Sequence, residues 1–215
     1  MRVDFNGREL ELEPNSRPYL LKRLLADGFD TVLLFALFML LTMLIMKTPL
    51  ADDYHAHFEN SRAIETATAA ELENDAEAVG AALGADELYR SELFAANLHG
   101  YLLKALAALI AEGLVLLAVP LLNRDRATPG KLMAGVMPFN EQRRCRAKWY
   151  QIFYRFLFVF LFDSLALYLY TGVLTFLLVP LLRLTEMLLN KKHKTLCDYM
   201  TGIMIIEKLS YDGIN

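Results

Sequence analysis

Only two cysteines, Cys145 and Cys197, occur in the 215 residues. They stand far apart, both in segments read below as cytoplasmic, so neither a disulfide nor a paired-cysteine metal site is expected. There is no basic excess either. The 22 Lys and Arg residues are set against 25 Asp and Glu, which implies no surface for nucleic acid. No activated nucleophile, metal triad or cofactor cradle can be assembled, so neither an enzyme nor a bound cofactor is expected. The stretch Thr128-Pro-Gly130-Lys131 is not a phosphate-binding loop. That motif needs a second glycine upstream and a Ser or Thr after the lysine, whereas Lys131 precedes Leu132. Lys and Arg are also scarce between residues 52 and 98, where Arg62 and Arg90 stand against eleven acids.

What the chain has in quantity is apolar residues, 55% of the total, and they come in blocks. The first run is Phe29–Met46. The second is Tyr101–Leu122, interrupted only by Lys104 and Glu112. The third extends from Trp149 to Asn190. At about 1.5 Å per residue, each of the first two crosses a hydrocarbon core of roughly 30 Å. About 25 mostly polar residues precede the first run and no small-residue cleavage site follows it, so it reads as a retained span rather than a signal peptide.

The third block could be one long tilted helix or two short ones, and charge parity decides between them. Arg17, Lys22 and Arg23 precede the first run. Seven Lys and Arg residues lie between the second run and the third block, and Lys191, Lys192 and Lys194 follow it. Basic flanks are cytoplasmic, so the third block has an even number of crossings. It is expected to be a hairpin turning at Thr171-Gly172.

The expected architecture is an all-α polytopic membrane protein with four transmembrane helices, a small cytoplasmic β element and an extracytoplasmic helical insert. A cytoplasmic β-hairpin occupies 1–16, because Asn6-Gly7 favours a tight turn between alternating residues. The first span follows at 17–50, an acidic insert at 51–98, the second span at 99–122 and a basic cytoplasmic loop at 123–148. The transmembrane hairpin covers 149–190, and the cytoplasmic C-terminal segment covers 191–215. Two further short β-like stretches, 134–139 and 202–208, are expected to pack together. The setting expected is the lipid bilayer of a bacterial cytoplasmic (inner) membrane, multi-pass, with both termini inside.

The insert reads as two helices, the second starting near Asp86 and running into the second span. Its plain reading is a solvated acidic cap; partner binding or cation gathering is the alternative. His55 and His57 diverge on a helix, and no third ligand is fixed by spacing, so no metal site is expected there.

Ionisable groups inside a span cost roughly 2.5–3.5 kcal/mol each, so each asks for a partner or a purpose. At about 100° per residue, Arg23, Asp27 and Asp30 share one stripe of the first helix. Glu112 sits in the second span beside Gly113, where close helix approach is expected. Asp163 lies deep in the third, with Gln151 and Arg155 at its start. Arg183, Glu186 and Asn190 lie on one face of the fourth. In one reading Arg155, Arg183 and Glu186 serve in structural pairing, and Arg23 locks the helices. In the other, Asp27, Asp30, Glu112 and Asp163 form a pathway for protons or monovalent cations.

Three stretches, Arg23-Leu-Leu-Ala-Asp-Gly-Phe-Asp30, Thr128-Pro-Gly130-Lys131 with Gly135, and Lys194-Thr-Leu-Cys197-Asp198-Tyr-Met-Thr201-Gly202, resemble in turn the first-span signature, the loop motif and the closing motif of the RDD family. Gln151 and Arg155 also fit. The chain departs from the family at Cys197, where His is usual, and at Thr201-Gly202, where Gly-Thr is usual. The resemblance implies that Arg23, Asp30 and Asp198 are the defining trio. It further implies either cation/proton antiport or a non-transporting accessory or scaffold role, binding another membrane protein or lipid. A dimer would be needed for alternating access with so few spans.

Overall fold

The structure, a computed structural model, describes residues 2–5, 8–11, 17–143, 145–162, 175–190 and 194–207. Strands β1 (Arg2–Phe5) and β2 (Arg8–Glu11) precede the long helix α1 (Arg17–Ile45). Helices α2 (Asp52–Glu71), α3 (Ala76–Ala85), α4 (Glu87–Glu112) and α5 (Val119–Leu122) follow. Next come α6 (Pro129–Met133), β3 (Val136–Asn140), β4 (Cys145–Arg146), α7 (Trp149–Phe158), α8 (Thr175–Leu189), α9 (Leu196–Thr201) and β5 (Ile203–Glu207). These elements form two compact units, residues 38–107 and the remainder. Asp163, the expected turn at Thr171-Gly172, Lys191, Lys192 and His193 lie outside the described residues.

Two helices are long and apolar enough to cross a membrane, Leu20–Ile45 and Glu87–Leu122. In their most apolar stretches only 17% and 28% of residues are buried. The core helix of a soluble protein would be mostly covered, whereas Leu25, Val32 and Met43 of α1 are each about 60–70% exposed. A bilayer provides the solvent that such side chains require. Trp149–Phe162 is apolar but shorter.

Within the 38–107 unit, α1 ends before Pro49, which cannot continue the helix. Thr48 Oγ1 donates to the Ile45 carbonyl 2.7 Å away. The first helix expected in the insert is divided in two. Glu73 and Asn74 adopt positive φ (50° and 61°), and Asp75 Oδ1 then accepts from Glu77 N at 3.1 Å, capping α3. Asp86 caps α4 in the same way through Leu88 N at 2.8 Å. Apolar periodicity carries across this break, which is why it is invisible to a pattern argument.

The larger unit is built on a three-stranded sheet ordered β4-β3-β5, with β3 and β5 antiparallel over Val136↔Glu207 to Asn140↔Ile203. Alternation sends Val136, Ile203 and Ile205 to a cluster with Ala26, Ala147 and Ile152. Met137, Phe139, Met204 and Ile206 form a second cluster. In this unit β1 and β2 pair antiparallel with Phe5 opposite Arg8.

Between α4 and α5 the helix widens into a π turn, Gly113–Ala118, and Val119 N–H reaches back five residues to Leu114 O. Pro120 supplies the cause. It has no N–H, and its ring would clash with the carbonyl four residues earlier, so the preceding turn loosens. Gly113 does not bring helices together as expected, for nothing lies within 4 Å of where its Cβ would be. It sits instead at the start of the widened turn.

Candidate functional site: two buried charge knots and a cavity

The first knot is centred on Asp198, which is fully buried near the start of the short helix α9. Arg23 Nη2 of α1 donates to its Oδ2. Arg155 Nη1 of α7 donates to Oδ1 at 2.6 Å, so two guanidiniums from two helices grip one carboxylate. The carboxylate also caps its own helix. Thr195 N donates to Oδ2 at 3.1 Å, and Asp198 N donates to Thr195 Oγ1 at 3.3 Å. Burial alone would raise the Asp198 pKa. The two arginine charges and the hydrogen bonds from Arg23 and Thr195 outweigh it and hold the carboxyl well below the usual carboxylate range.

The second knot joins α1 to the loop after α5. Asp30 accepts from Thr128 Oγ1 at Oδ2 and from Gly130 N at Oδ1, the latter at 2.7 Å. Lys131 Nζ lies 3.0 Å from Asp27 Oδ1 and 3.6 Å from Asp30 Oδ2. It also donates to Thr128 Oγ1 at 3.3 Å. Lys131, Thr128 and Asp30 thus form a relay in which the hydroxyl accepts from the ammonium and donates to the carboxylate. The approach depends on Gly130. A Cβ there would strike the Ala26 carbonyl oxygen and lie 2.9 Å from Asp30 Oδ1. The loop is held by its own bonds as well. Asn123 Nδ2 donates to Val119 O and Ala127 O, and Arg126 Nη1 donates to Leu121 O at 2.7 Å.

Between the knots is a cavity of about 30 Å³ lined by Asp27, Asp30, Thr128, Lys131, Arg126, Arg155 and Arg183, among others. That is room for about one water molecule, with the charged groups gathered against an apolar wall of Leu34, Leu116, Pro120, Ile152 and Val159.

Gln151 ties the sheet to the helices. Its Oε1 accepts from Asn140 Nδ2 and Lys148 N, both at 3.0 Å, and its Nε2 donates to Thr201 O at 2.8 Å. The exchanged order Thr201-Gly202 suits the geometry, because Gly202 has φ +63° and ends α9 in the left-handed region. Cys197 turns its thiol to the Arg155 carbonyl at 3.8 Å.

The expected residues are therefore divided among several places. Arg23 and Asp198 are brought together, Asp30 is held separately by the loop, and Asp27 lies beside it. Arg183 lines the cavity. Glu112 is buried at the end of α4 but is not part of the cavity lining. Glu186 accepts from Leu196 N at 2.9 Å. Sequence reasoning missed Lys131 and Thr128 as site residues, since a polar loop gives no sign that its lysine is buried. The one signal was their place in the loop motif. In the other unit, His57 Nδ1 meets Glu92 Oε2 at 2.7 Å rather than a residue of its own helix.

No curated protein and no solved structure matches the chain. The sequence model of the RDD family matches residues 17–202, a span that contains both knots. The chain belongs to the RDD family, whose proteins are membrane proteins.

Proposed function

We propose that this is a four-span inner-membrane protein with cytoplasmic termini that exchanges protons and monovalent cations at the Asp27–Lys131 pair. The observation that carries the reading is the cavity, for Asp27 and Lys131 line it together at 3.0 Å. Asp198 is taken up by two arginines, and Asp30 by a hydroxyl and a backbone N–H. Asp27 is left as the acid best able to trade its lysine for a proton or a small cation, the usual work of intramembrane carboxylates. Exchange through so small a cavity would require the helices around it to part. Glu112 and Asp163 remain candidate relays, and two copies would give alternating access more helices to work with.

The test is proton flux in sealed vesicles containing the purified protein, with sodium or potassium gradients imposed. Cation-linked flux that disappears in Asp27→Asn is expected. No flux from the parent protein, or equal flux from the variant, overturns the reading.

The second reading is a non-transporting accessory or scaffold protein that binds another membrane protein or lipid. It is favoured by the closure of both knots, which suits a rigid frame as well as a carrier. It predicts silent vesicles and a membrane protein that co-purifies.

A further inference from the structure

A second concavity lies outside the knots. A groove of about 680 Å³ is lined by Arg124, Arg126, Arg146, Lys148, Trp149 and Tyr150. This falls within the roughly 300–1,000 Å³ typical of ligand sites. Four cations line it, and among the described residues no carboxylate does. Asp125, the acid nearest in sequence, is buried. The two walls are fastened together, Arg146 Nη1 donating to Arg124 O at 3.5 Å.

Its position is the second observation. One wall follows directly on the end of the apolar helix Glu87–Leu122, and the other opens the apolar helix Trp149–Phe162. Leu122, which directly precedes the lining residue Asn123, is 87% exposed, and Trp149 is 63% exposed. An exposed indole beside a half-buried tyrosine where apolar helices end is the pattern of a membrane–water interface. We propose that this groove binds the phosphodiester headgroup of an anionic phospholipid, with an acyl chain along Leu122. A lipid delivers its phosphate at the depth where the helices end, beside apolar surface that free phosphate would leave uncovered. The charge count favours an anionic headgroup over a zwitterionic one. The inference stands whether or not the protein transports anything.

The test uses the full chain in neutral detergent, titrated with short-chain phosphatidylglycerol, phosphatidylcholine or inorganic phosphate. Bound lipid is counted by native mass spectrometry. Phosphatidylglycerol is expected to bind in preference to phosphatidylcholine, and millimolar inorganic phosphate is expected not to displace it. Arg124→Gln and Lys148→Gln should each weaken phosphatidylglycerol about five-fold, and together roughly 25-fold. Lys148→Arg should restore binding, and Arg143→Gln, outside the groove, should leave it unchanged. An unaltered thermal midpoint in neutral detergent shows that a variant is folded. Equal binding of the two lipids, displacement by phosphate, or an equal loss in Arg143→Gln would each overturn the proposal.

Discussion

Replacing Gly130 by alanine adds one methyl group at the closest approach between the loop and α1. The new Cβ would strike the Ala26 carbonyl oxygen and stand 2.9 Å from Asp30 Oδ1. The first of these is backbone in the middle of a helix, so it cannot swing aside as a side chain could. Forcing a methyl group into a filled site costs about 1–3 kcal/mol. Moving α6 away also lengthens the 2.7 Å bond from Gly130 N to the Asp30 carboxylate, and a bond to a charged group contributes about 1.5–3 kcal/mol. The two losses overlap, so a total of roughly 2–5 kcal/mol is expected, or a fall in thermal midpoint on the order of 10 °C. Thermal unfolding in detergent, followed by circular dichroism, measures it. Gly28→Ala is the internal control. Nothing lies within 4 Å of that Cβ position, and alanine within a helix gains up to about 1 kcal/mol over glycine. If Gly130→Ala unfolds at the parent temperature, or both variants lose stability equally, the steric argument is wrong.

Asp198→Asn keeps the shape but leaves two arginine charges facing an amide, and breaking a buried ion pair from one side costs about 3–5 kcal/mol. A thermal midpoint close to the parent's would show that the knot contributes little. The pH dependence follows from the sign of the Asp198 shift. A carboxyl held below its unfolded value contributes stability in full above the ordinary carboxylate range, and loses it progressively as pH falls from that range through the depressed folded value. Unfolding midpoints of the parent, taken relative to Asp198→Asn, should therefore stay flat from pH 7 to pH 5; a steep decline in that window would refute the assignment. Gly202→Ala puts a side chain at φ +63° and should cost about 1–2 kcal/mol, read from the same melting curves.

The apolar blocks that became α1 and the helix Glu87–Leu122 were legible because burial in lipid demands uninterrupted apolar length. The stretches 134–139 and 202–208 could be read as β because their residues are branched or alternate, and β3 and β5 pair there. What sequence could not supply was pairing. Arg23, Asp27 and Asp30 do share a face of one helix, but helical spacing says nothing of partners 175 residues away, and Arg23 goes to Asp198. Asp27 and Asp30 turn to Lys131, Thr128 and Gly130, which look like an ordinary solvated turn until the fold buries them. The widened turn before Pro120 was likewise hidden, since proline announces a disturbance without saying whether the helix will kink or loosen.

The bond between Arg23 and Asp198 also bears on how the protein is made. A chain synthesised from its N-terminus commits Arg23 to the membrane long before the codon for Asp198 is reached. Through most of synthesis that guanidinium lacks the buried carboxylate that it meets in the fold. A helix made late in synthesis, α9, therefore completes the charge pairing of α1, made early. A chain that stops before residue 198 leaves the Arg23 guanidinium without the carboxylate that it meets in the fold.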